Sequence, residues 1–477
     1  MSELTTLKAD LAVIGAGSAG LSAAAGAAML GLKVVLFEKH EMGGDCLNFG
    51  CVPSKALISA AKVAHAPEEA ARYGISLPAA VVNWDEVKAH VRGAIETIAP
   101  VDSQERFEGL GCTVIREAAR FEDRNTLISD SVRVKARRII VSTGSRAVIP
   151  PVPGLSEAPY LTNETIFSAP EFPRELIILG GGPIGMELAQ AFCRLGSKVT
   201  VVEMGHALPR ADAAHARIAV DAIRAEGVTL LEGHKASRVS AEGGRITLTA
   251  SGPDGEVTLT GSHILVAAGR RAVTEGLDLE KGRVDYTPAG ITVGDNLRSK
   301  SNPRVWALGD IAGQGQFTHL AGWHSSVFVR RAFFKQGSKA SSLPLPAVTY
   351  TSPEVAQVGL TEAEAREKFG EAVKTSAFPF HDNDRAIAER KTLGEAKLVL
   401  HKGKLVGASI VGEGAGDIIQ MVGLAMSNGL KLTALTNFIS PYPTRTEVVK
   451  RAASAYFTPS VFGAPARTLV GILQKIP

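Results

Sequence analysis

The feature that most constrains the fold of this 477-residue chain is a glycine-rich turn that occurs twice in the same setting. The first copy consists of an apolar strand, the turn Gly15-x-Gly17-x-x-Gly20, an alanine-rich helix and a second apolar strand that ends at Glu38. Short apolar runs of this kind predict strands buried on both faces of a parallel sheet. Gly15 permits the tight turn, Gly17 lets the backbone approach a pyrophosphate, and Gly20 lets the helix pack closely on the strand. With an acid 23 positions after Gly15, the segment predicts a dinucleotide site.

The second copy follows about 165 residues later. It runs from Leu176-Ile-Ile-Leu into Gly180-Gly-Gly182-Pro-Ile184-Gly185 and ends at Glu203, again 23 positions after its first glycine. In both copies the helix N-terminus would face the pyrophosphate of the nucleotide. Glu38 or Glu203, at the end of the unit, would accept hydrogen bonds from ribose hydroxyls. Two such units predict that the protein binds two different nucleotides. The alternative is that both glycine-rich turns are structural and bind no ligand. Glu203 would repel a 2′-phosphate and bind a free 2′-hydroxyl, which favours NADH over NADPH.

Composition excludes several other classes of protein. The net charge is only +4 and aromatic residues make up 5%, so a nucleic-acid partner is not expected. Residues 11–37 carry a single charge, which a hydropathy window would interpret as a membrane helix. Five glycines in this segment and Glu38 directly after it fit a buried strand, turn and helix better. No hydrophobic signal core occupies residues 1–10, so we expect a cytoplasmic protein without a membrane span.

Two of the four cysteines lie five positions apart in Gly43-Gly44-Asp45-Cys46-Leu-Asn-Phe-Gly-Cys51-Val-Pro-Ser-Lys55. In a cytosolic chain such a pair is more often catalytic than structural. A helix N-terminus and the nearby Lys55 would both lower the pKa of a thiol here. The alternatives are two buried thiols or half of a zinc site, although no second Cys or His cluster accompanies the pair. Cys112 and Cys193 stand alone, and we expect core or inert surface positions for them.

These motifs resemble those of the flavoprotein disulfide reductases of the pyridine nucleotide–disulfide oxidoreductase class, which includes dihydrolipoamide dehydrogenase, glutathione reductase and mercuric reductase. The redox motif is similar, with Asp45 where the family usually has Thr. The second and third FAD motifs of the family resemble Ser142-Thr143-Gly144 and Leu308-Gly309-Asp310, and a turn of its nucleotide domain resembles Ala267-Ala-Gly269-Arg270. The resemblance covers nearly the whole chain. It implies an α/β fold with two Rossmann-like dinucleotide-binding domains plus a C-terminal α+β dimerisation domain.

By this resemblance the first unit binds FAD and the second binds NAD(H), with NADP(H) less favoured. Cys51 is implied to face the flavin and Cys46 to exchange with substrate, while Lys55 and Glu187 match a family ion pair near flavin N5. Pro183 stands where some relatives carry a gating tyrosine. The expected FAD-binding residues are Gly15, Gly17, Gly20, Glu38, Lys39, Gly43, Gly44, Asp45, Lys55, Thr143, Gly144, Gly309 and Asp310. The expected NAD-binding residues are Gly180, Gly182, Ile184, Gly185, Glu187, Glu203 and Gly269, and no metal site is expected.

The resemblance also implies an order of domains and a homodimer. The expected parts are an FAD-binding domain with the redox pair (1–152), an NAD(P)-binding domain (153–281), the second part of the FAD/central domain (282–345) and an interface domain (346–477). In the last part the sequence predicts strands at 347–350, 395–400 and 405–411, followed by helices at 417–428 and 444–455. In the family, the last segment of this domain completes the active site of the partner subunit.

One position in that last segment departs from the dithiol-oxidising relatives, which have a His-Pro-Thr motif and a Glu five residues after the His. Here Glu447 is in register, but Tyr442 replaces the His. An imidazole accepts a proton near pH 7, whereas an ordinary phenol has a pKa near 10. Mercuric reductases also carry Tyr there, but they add a vicinal cysteine pair that residues 452–477 lack. His319, His324 and His381 are possible substitutes for the base, and each is expected to be structural.

Together these observations predict an FAD-dependent NAD(P)H:disulfide oxidoreductase of the dihydrolipoamide dehydrogenase type that favours NADH. Its substrate would be a small thiol or disulfide, or a lipoylated carrier protein. A mercuric reductase-like metal reductase is the main alternative, and a flavin redox sensor without turnover is a remote one. The predicted catalytic residues are Cys46, Cys51, Lys55, Glu187, Tyr442 and Glu447.

Overall fold

A computed structural model describes residues 4–476. Its first part surrounds the first glycine-rich turn, where the apolar run from Leu11 to Ile14 is buried as predicted. The elements up to residue 147 are β1 (Thr5–Ile14), α1 (Ser18–Met29), β2 (Val34–Phe37), α2 (Gly44–Asn48), α3 (Cys51–Ala64), α4 (Ala66–Ala71), α5 (Trp84–Asp102), α6 (Gln104–Gly109), β3 (Cys112–Ile115), β4 (Arg120–Phe121), β5 (Thr126–Ile128), β6 (Val132–Val141) and β7 (Ser145–Ala147).

The first sheet has the strand order β3-β2-β1-β6-β5-β4. Both neighbours of β1 run parallel to it, so the carboxyl ends of β1 and β6 meet at one edge of the sheet. There Gly15 adopts a φ of +102°, and a Cβ on it would lie 2.5 Å from the Ser142 carbonyl oxygen. Only glycine fits this position, which holds the first turn at the edge where dinucleotides bind.

A second parallel sheet surrounds the second glycine-rich turn, in the strand order β10-β9-β8-β14. Beside it lies an antiparallel sheet, β11-β12-β13, and β15 pairs with β7 of the first part. Pro183 is the first residue of α7, where a missing backbone N–H breaks no helical hydrogen bond. The elements of this part are β8 (Glu175–Leu179), α7 (Pro183–Arg194), β9 (Lys198–Val202), α8 (Ala213–Ala225), β10 (Thr229–Leu231), β11 (Lys235–Glu242), β12 (Arg245–Gly252), β13 (Gly255–Gly261), β14 (His263–Val266) and β15 (Arg270–Ala272).

The chain then returns to the first sheet, because a later strand pairs in parallel with β6. This strand ends at Ala307, directly before the Leu308-Gly309-Asp310 motif, so the motif reaches the same edge as the first glycine-rich turn. The elements of the returning segment are β16 (Tyr286–Thr287), β17 (Gly290–Ile291), β18 (Val305–Ala307) and α9 (Thr318–Ala332).

The last part is a five-stranded antiparallel sheet in the order β19-β20-β23-β22-β21, with helices packed on it. The sequence located β19, β22, β23, α12 and most of α13, but it missed β20, β21, α10, α11 and α14. β21 buries only Val373 and Ser376, which gives too little alternation to indicate a strand. The elements are β19 (Pro346–Thr349), β20 (Glu354–Gly359), α10 (Glu362–Phe369), β21 (Val373–Pro379), α11 (Asp384–Ala388), β22 (Glu395–His401), β23 (Lys404–Gly412), α12 (Ala415–Ser427), α13 (Glu447–Val461) and α14 (Ala464–Leu473).

The predicted α/β class with two nucleotide-binding parts and a C-terminal α+β part is confirmed. The exact domain boundaries at 152, 281 and 345 stay predictions. Among residues 4–476, every helix is too short or too polar to cross a membrane, and the 11–37 segment forms β1, α1 and β2 as expected.

Candidate active site

Both glycine-rich turns and the cysteine pair open onto one cavity of about 2180 Å³. Pockets for a single drug-sized ligand usually measure roughly 300–1,000 Å³, so this one has room for more than one such molecule. Most of the predicted nucleotide-binding residues line it: Gly15, Gly17, Glu38, Lys39, Gly44, Asp45, Lys55, Thr143, Gly144, Gly309, Asp310, Gly180, Gly182, Ile184, Glu187, Glu203 and Gly269. Gly20, Gly43 and Gly185 do not line it.

The glycines at the two helix starts leave the space that a pyrophosphate needs. Gly17 precedes α1 and Gly182 precedes α7, so the free backbone amides of both helices follow directly. A Cβ on Gly182 would meet no atom within 4 Å, and one on Gly17 would meet only the Gly44 Cα, at 3.9 Å. By contrast, a Cβ on Gly185 would lie 2.0 Å from the Gly180 carbonyl oxygen. The last glycine of the turn therefore serves helix packing, while the middle one faces the ligand space.

The acid at the end of each second strand has the same environment in both units. Glu38 accepts hydrogen bonds from the backbone N–H groups of Ala16 and His40, both at 2.7 Å. Glu203 accepts them from Gly181 at 2.7 Å and Gly205 at 2.8 Å. These bonds fix each carboxylate at the cavity wall, and its remaining lone pairs can still accept ribose hydroxyls.

Asp310 and Asp45 belong to a hydrogen-bonded chain that joins three of the motifs. The Ser145 hydroxyl donates to Asp310 Oδ2 at 2.5 Å, and Arg270 Nε donates to that hydroxyl at 2.9 Å. Arg270 also lies 3.2 Å from Asp45 Oδ2, so the acid that replaces the usual Thr has its charge balanced. Asn163 donates to Asp45 Oδ1 at 3.1 Å. Burial raises the pKa of Asp310. Neither Asn163 nor Ser145 was predicted.

The two cysteines are free thiols at the starts of successive helices, with Cys46 in α2 and Cys51 as the first residue of α3. A hydrogen bond from Cys46 lowers the pKa of Cys51 to about 6, helped by the Thr318 hydroxyl at 3.3 Å and by the charge of Lys55. The same hydrogen bond and burial raise the pKa of Cys46. The thiolate therefore resides on Cys51. Thr318 was missed from the sequence, where its only signal was its place eight positions after Asp310.

Lys55 reaches from the first unit to the second, where its Nζ lies 2.8 Å from Glu187 Oε2. Glu187 is buried on α7, and its other carboxylate oxygen accepts the backbone N–H of Tyr350 at 2.9 Å. The Lys55 Nζ also lies 4.4 Å from the centre of the Tyr350 ring. Tyr350 was not predicted as a site residue, although it lines the cavity and holds both members of the ion pair.

Within residues 4–476 of a single subunit, Tyr442 and Glu447 do not line this cavity. Tyr442 is 68% exposed, and its hydroxyl donates to Asp384 Oδ2 at 2.7 Å. This hydrogen bond raises the pKa of Tyr442 above its ordinary value. Their predicted place in the active site of a partner subunit stays a prediction.

The three candidate histidines and the two isolated cysteines lie in different surroundings. His324 is fully buried, its Nδ1 accepts the Gly309 backbone N–H at 3.1 Å, and burial lowers its pKa to about 4. His319 Nε2 lies 2.9 Å from the Pro346 carbonyl oxygen at the cavity wall, and His381 is exposed. Burial raises the pKa of Cys112 to about 11 and also raises that of Cys193. Within residues 4–476, no group of three or more His, Cys, Asp or Glu side chains could hold a metal ion.

The sequence and the fold of this chain are similar to those of known proteins. Residues 9–325 match the family described as pyridine nucleotide-disulphide oxidoreductase, and residues 345–453 match the dimerisation domain of that family. A mercuric reductase of Streptomyces lividans is 34% identical over 462 residues, 94% of this chain and 96% of that protein. A dihydrolipoyl dehydrogenase of Bacillus subtilis is 31% identical over 456 residues, 93% of this chain and 97% of that protein. The HOCl-induced flavoprotein disulfide reductase RclA from Escherichia coli superposes with a TM-score of 0.83 at 25% identity, over 93% of this chain and 99% of that chain.

Proposed function

The chain belongs to the pyridine nucleotide-disulphide oxidoreductase family, and from that premise we propose that it is an NADH-favouring, FAD-dependent oxidoreductase for a thiol or disulfide substrate. The observation that carries this proposal is the joint opening of the cysteine pair and both glycine-rich turns onto one cavity. A redox sensor without turnover would not need a second nucleotide site on the far side of the Lys55–Glu187 pair.

The residues that would hold the cofactors fit them. The turn of α1 with Glu38 and Asp310 would hold FAD, and the turn of α7 with Glu203 would hold NAD(H). When bound, FAD supplies hydride acceptance from the nicotinamide and two-electron exchange with sulfur. Lys55 stabilises the Cys51 thiolate by its charge, and Thr318 stabilises it through a hydrogen bond. The protein thus keeps the Cys51 sulfur ionised.

The two sulfurs divide the exchange with substrate between them. Cys46 passes its proton to the hydrogen-bonded Cys51 thiolate as its Sγ attacks one sulfur of a substrate disulfide, which forms a mixed disulfide and releases one thiol. Cys51 Sγ then attacks Cys46 Sγ, which closes the Cys46–Cys51 disulfide and releases the second thiol. Because Cys51 is ionised, the reduced pair supplies one proton and solvent supplies the second, so the two product thiols and the Cys46–Cys51 disulfide balance. Its reverse oxidises a dithiol substrate.

Tyr442 makes disulfide reduction the easier direction. Dithiol oxidation needs a group that takes protons near pH 7, and the hydrogen bond to Asp384 moves the pKa of this phenol further from that range. The same observation favours the second candidate, a mercuric reductase-like activity, because a metal ion captured as substrate by thiolates needs no general base. This position is one at which the chain resembles mercuric reductases, although its residues 452–477 contain no cysteine.

The deciding experiment compares three reactions of the purified protein: lipoamide with NADH, dihydrolipoamide with NAD, and Hg(II) with NADH. We expect lipoamide reduction to exceed dihydrolipoamide oxidation, and Tyr442→His to raise the oxidation at least tenfold. Tyr442→Phe is the matched control, since it removes the hydroxyl without adding a base. Turnover of Hg(II) without either lipoamide reaction would establish the second candidate, and absence of bound FAD would reject both.

We further propose a homodimer, on the strength of the dimerisation domain, with the Tyr442 segment of each subunit near the cysteine pair of the other. A lipoylated carrier protein is a possible natural substrate, and a cytoplasmic location remains part of the proposal. Crosslinking of Tyr442→Cys to a Cys46-directed reagent in the dimer would test the arrangement of the two subunits.

A further inference from the structure

The last helix of the chain has no partner within its own subunit. No residue of α14 is buried, although the helix lies wholly within the described residues. In contrast, α13 buries Val448, Val449, Ala452 and Ala453 against the C-terminal sheet. A helix of ten residues is marginal in water unless one face is packed. α14 therefore needs a covering surface from outside the chain.

The large exposed apolar side chains of α14 all lie on one side. They are Leu469, Val470, Ile472 and Leu473, with exposed fractions of 56, 53, 56 and 50%, and we call them the α14 apolar face. At 100° per residue these four positions fall within an arc of about 160°. Arg467 and Thr468 fall on the opposite side. An apolar helix face that is exposed to solvent indicates a contact surface, because a fully solvated helix would carry polar residues there.

The position of α14 identifies what covers this face. The match to the dimerisation domain ends at residue 453, inside α13, and α14 begins only two residues after α13 ends. The junction between the two helices is itself apolar and open, since Val461 at the end of α13 and Phe462 directly after it are 56% and 64% exposed. The α14 apolar face thus continues directly from the domain through which this family forms its dimers.

We propose that α14 is a dimerisation helix whose apolar face packs on the second copy of this chain. In this arrangement the C-terminal residues, which carry no cysteine, hold the two subunits together. The proposal does not depend on which substrate the enzyme uses, and it assigns a role to a segment beyond the matched family domain.

The test replaces two residues of the α14 apolar face in the full-length, FAD-saturated protein and measures dimer dissociation by analytical ultracentrifugation. For Leu469→Asp/Leu473→Asp we expect the dissociation constant of the dimer to rise at least tenfold. Thr468→Asp is the control, because it adds one negative charge one position away on the polar side, and we expect a change of less than twofold. The chain ending at Gly463 should behave as the double variant does, which excludes an artefact of the added charges.

Hydrogen exchange and lipid binding supply independent readouts. In the dimer, the backbone amides of 466–473 should exchange more slowly than in protein diluted below the dissociation constant. The proposal is overturned if the double variant and the truncated chain dissociate like the unaltered protein. It is equally overturned if α14 binds vesicles of phosphatidylserine and phosphatidylcholine through Leu469 and Leu473 while the dimer is unaffected, since the face would then serve a membrane surface.

Discussion

The two sulfur atoms of the active site differ in charge although only five positions separate them. Cys51 begins a 14-residue helix and faces Lys55 and Thr318, all of which stabilise a negative charge. Cys46 lies in a five-residue helix, and the neighbouring thiolate raises its pKa. A sequence motif can indicate that two cysteines react together. The surroundings of each sulfur decide which one carries the charge.

This asymmetry predicts the pH dependence of alkylation. In the reduced protein, the rate at which iodoacetamide modifies Cys51 should rise through a midpoint near pH 6, because the thiolate is the nucleophile. Lys55→Met should move the midpoint upward, since it removes a positive charge. Mass spectrometry of the labelled peptides gives the rate for each cysteine. Cys112, whose pKa is raised to about 11, serves as the internal control and should stay unlabelled. A Cys51 midpoint at the ordinary thiol value would contradict the assignment.

A second prediction at this scale concerns Glu203 and the choice of nucleotide. Glu203→Gln removes the charge that would repel a 2′-phosphate, while the side chain can still accept the Gly181 hydrogen bond. We expect the ratio of kcat/KM for NADH over NADPH to fall at least tenfold, which corresponds to about 1.4 kcal/mol. Steady-state kinetics with both nucleotides measure the ratio. Glu232→Gln, a nearby acid outside the cavity lining, should leave it unchanged. A wild-type preference for NADPH would show that the Glu203 argument is wrong.

At the scale of elements, the strand–turn–helix unit separates glycines that shape the turn from those that admit the ligand. Gly180 has a φ of +111°, and a Cβ on it would lie 2.4 Å from the Ala267 carbonyl oxygen. Gly182 has a φ of −70° and open space in place of a Cβ. Gly180 and Gly182 are both glycines of the same motif. The backbone of the turn requires Gly180, whereas Gly182 leaves open space for a ligand.

Alanine substitutions should reveal this difference. Gly182→Ala should fold normally and raise the dissociation constant for NADH at least tenfold, because the methyl group enters the space of the pyrophosphate. Gly180→Ala should instead lower the free energy of unfolding by roughly 1–3 kcal/mol through backbone strain and a steric clash. NADH titration and thermal unfolding of both variants measure the two effects. Equal loss of stability in both variants would mean that Gly182 has a structural role.

Elements with strong local patterns could be predicted from the sequence, whereas contacts between distant segments could not. The units around Gly15 and Gly180 were located because apolar runs and glycine turns leave a signal within about 25 residues. Thr318 lies 267 positions from Cys51, and Tyr350 lies 163 positions from Glu187, so no local pattern connects them. The helix α14 was missed because its apolar residues repeat over only two turns.

At the scale of the whole molecule, buried ion pairs and hydrogen bonds connect the second glycine-rich unit to the C-terminal sheet. Asp212, at the start of α8, lies 2.8 Å from the Nζ of Lys397 on β22, and their side chains are 5% and 10% exposed. The fully buried His215 bridges Ser409 at 2.7 Å and Glu395 at 3.1 Å. These contacts fix the nucleotide-binding sheet relative to the sheet that carries Tyr350.

The pKa values of Asp212 and Glu395 determine how these buried contacts respond to pH. Burial alone would raise the pKa of Asp212, but the hydrogen bond and charge of Lys397, together with His215, hold it below its ordinary value. The hydrogen bond from His215 likewise lowers the pKa of Glu395. An acid with a lowered folded-state pKa stabilises the protein above its unfolded value, roughly 4, and loses that contribution as the pH falls through the folded value.

Lys397→Met should therefore weaken the molecule as a whole and change its response to acid. At pH 7 the variant leaves Asp212 buried without its main partner, so the free energy of unfolding should fall by roughly 3–5 kcal/mol. Below pH 4 the difference from the unaltered protein should shrink, because a protonated Asp212 no longer needs the ammonium group. Denaturant unfolding at pH 7 and about pH 3 measures both effects. Lys281→Met is the control, since the exposed Lys281–Asp278 pair contributes at most about 1 kcal/mol. A loss for Lys397→Met that is the same at both pH values would assign it to the side-chain packing of Lys397 and not to its charge.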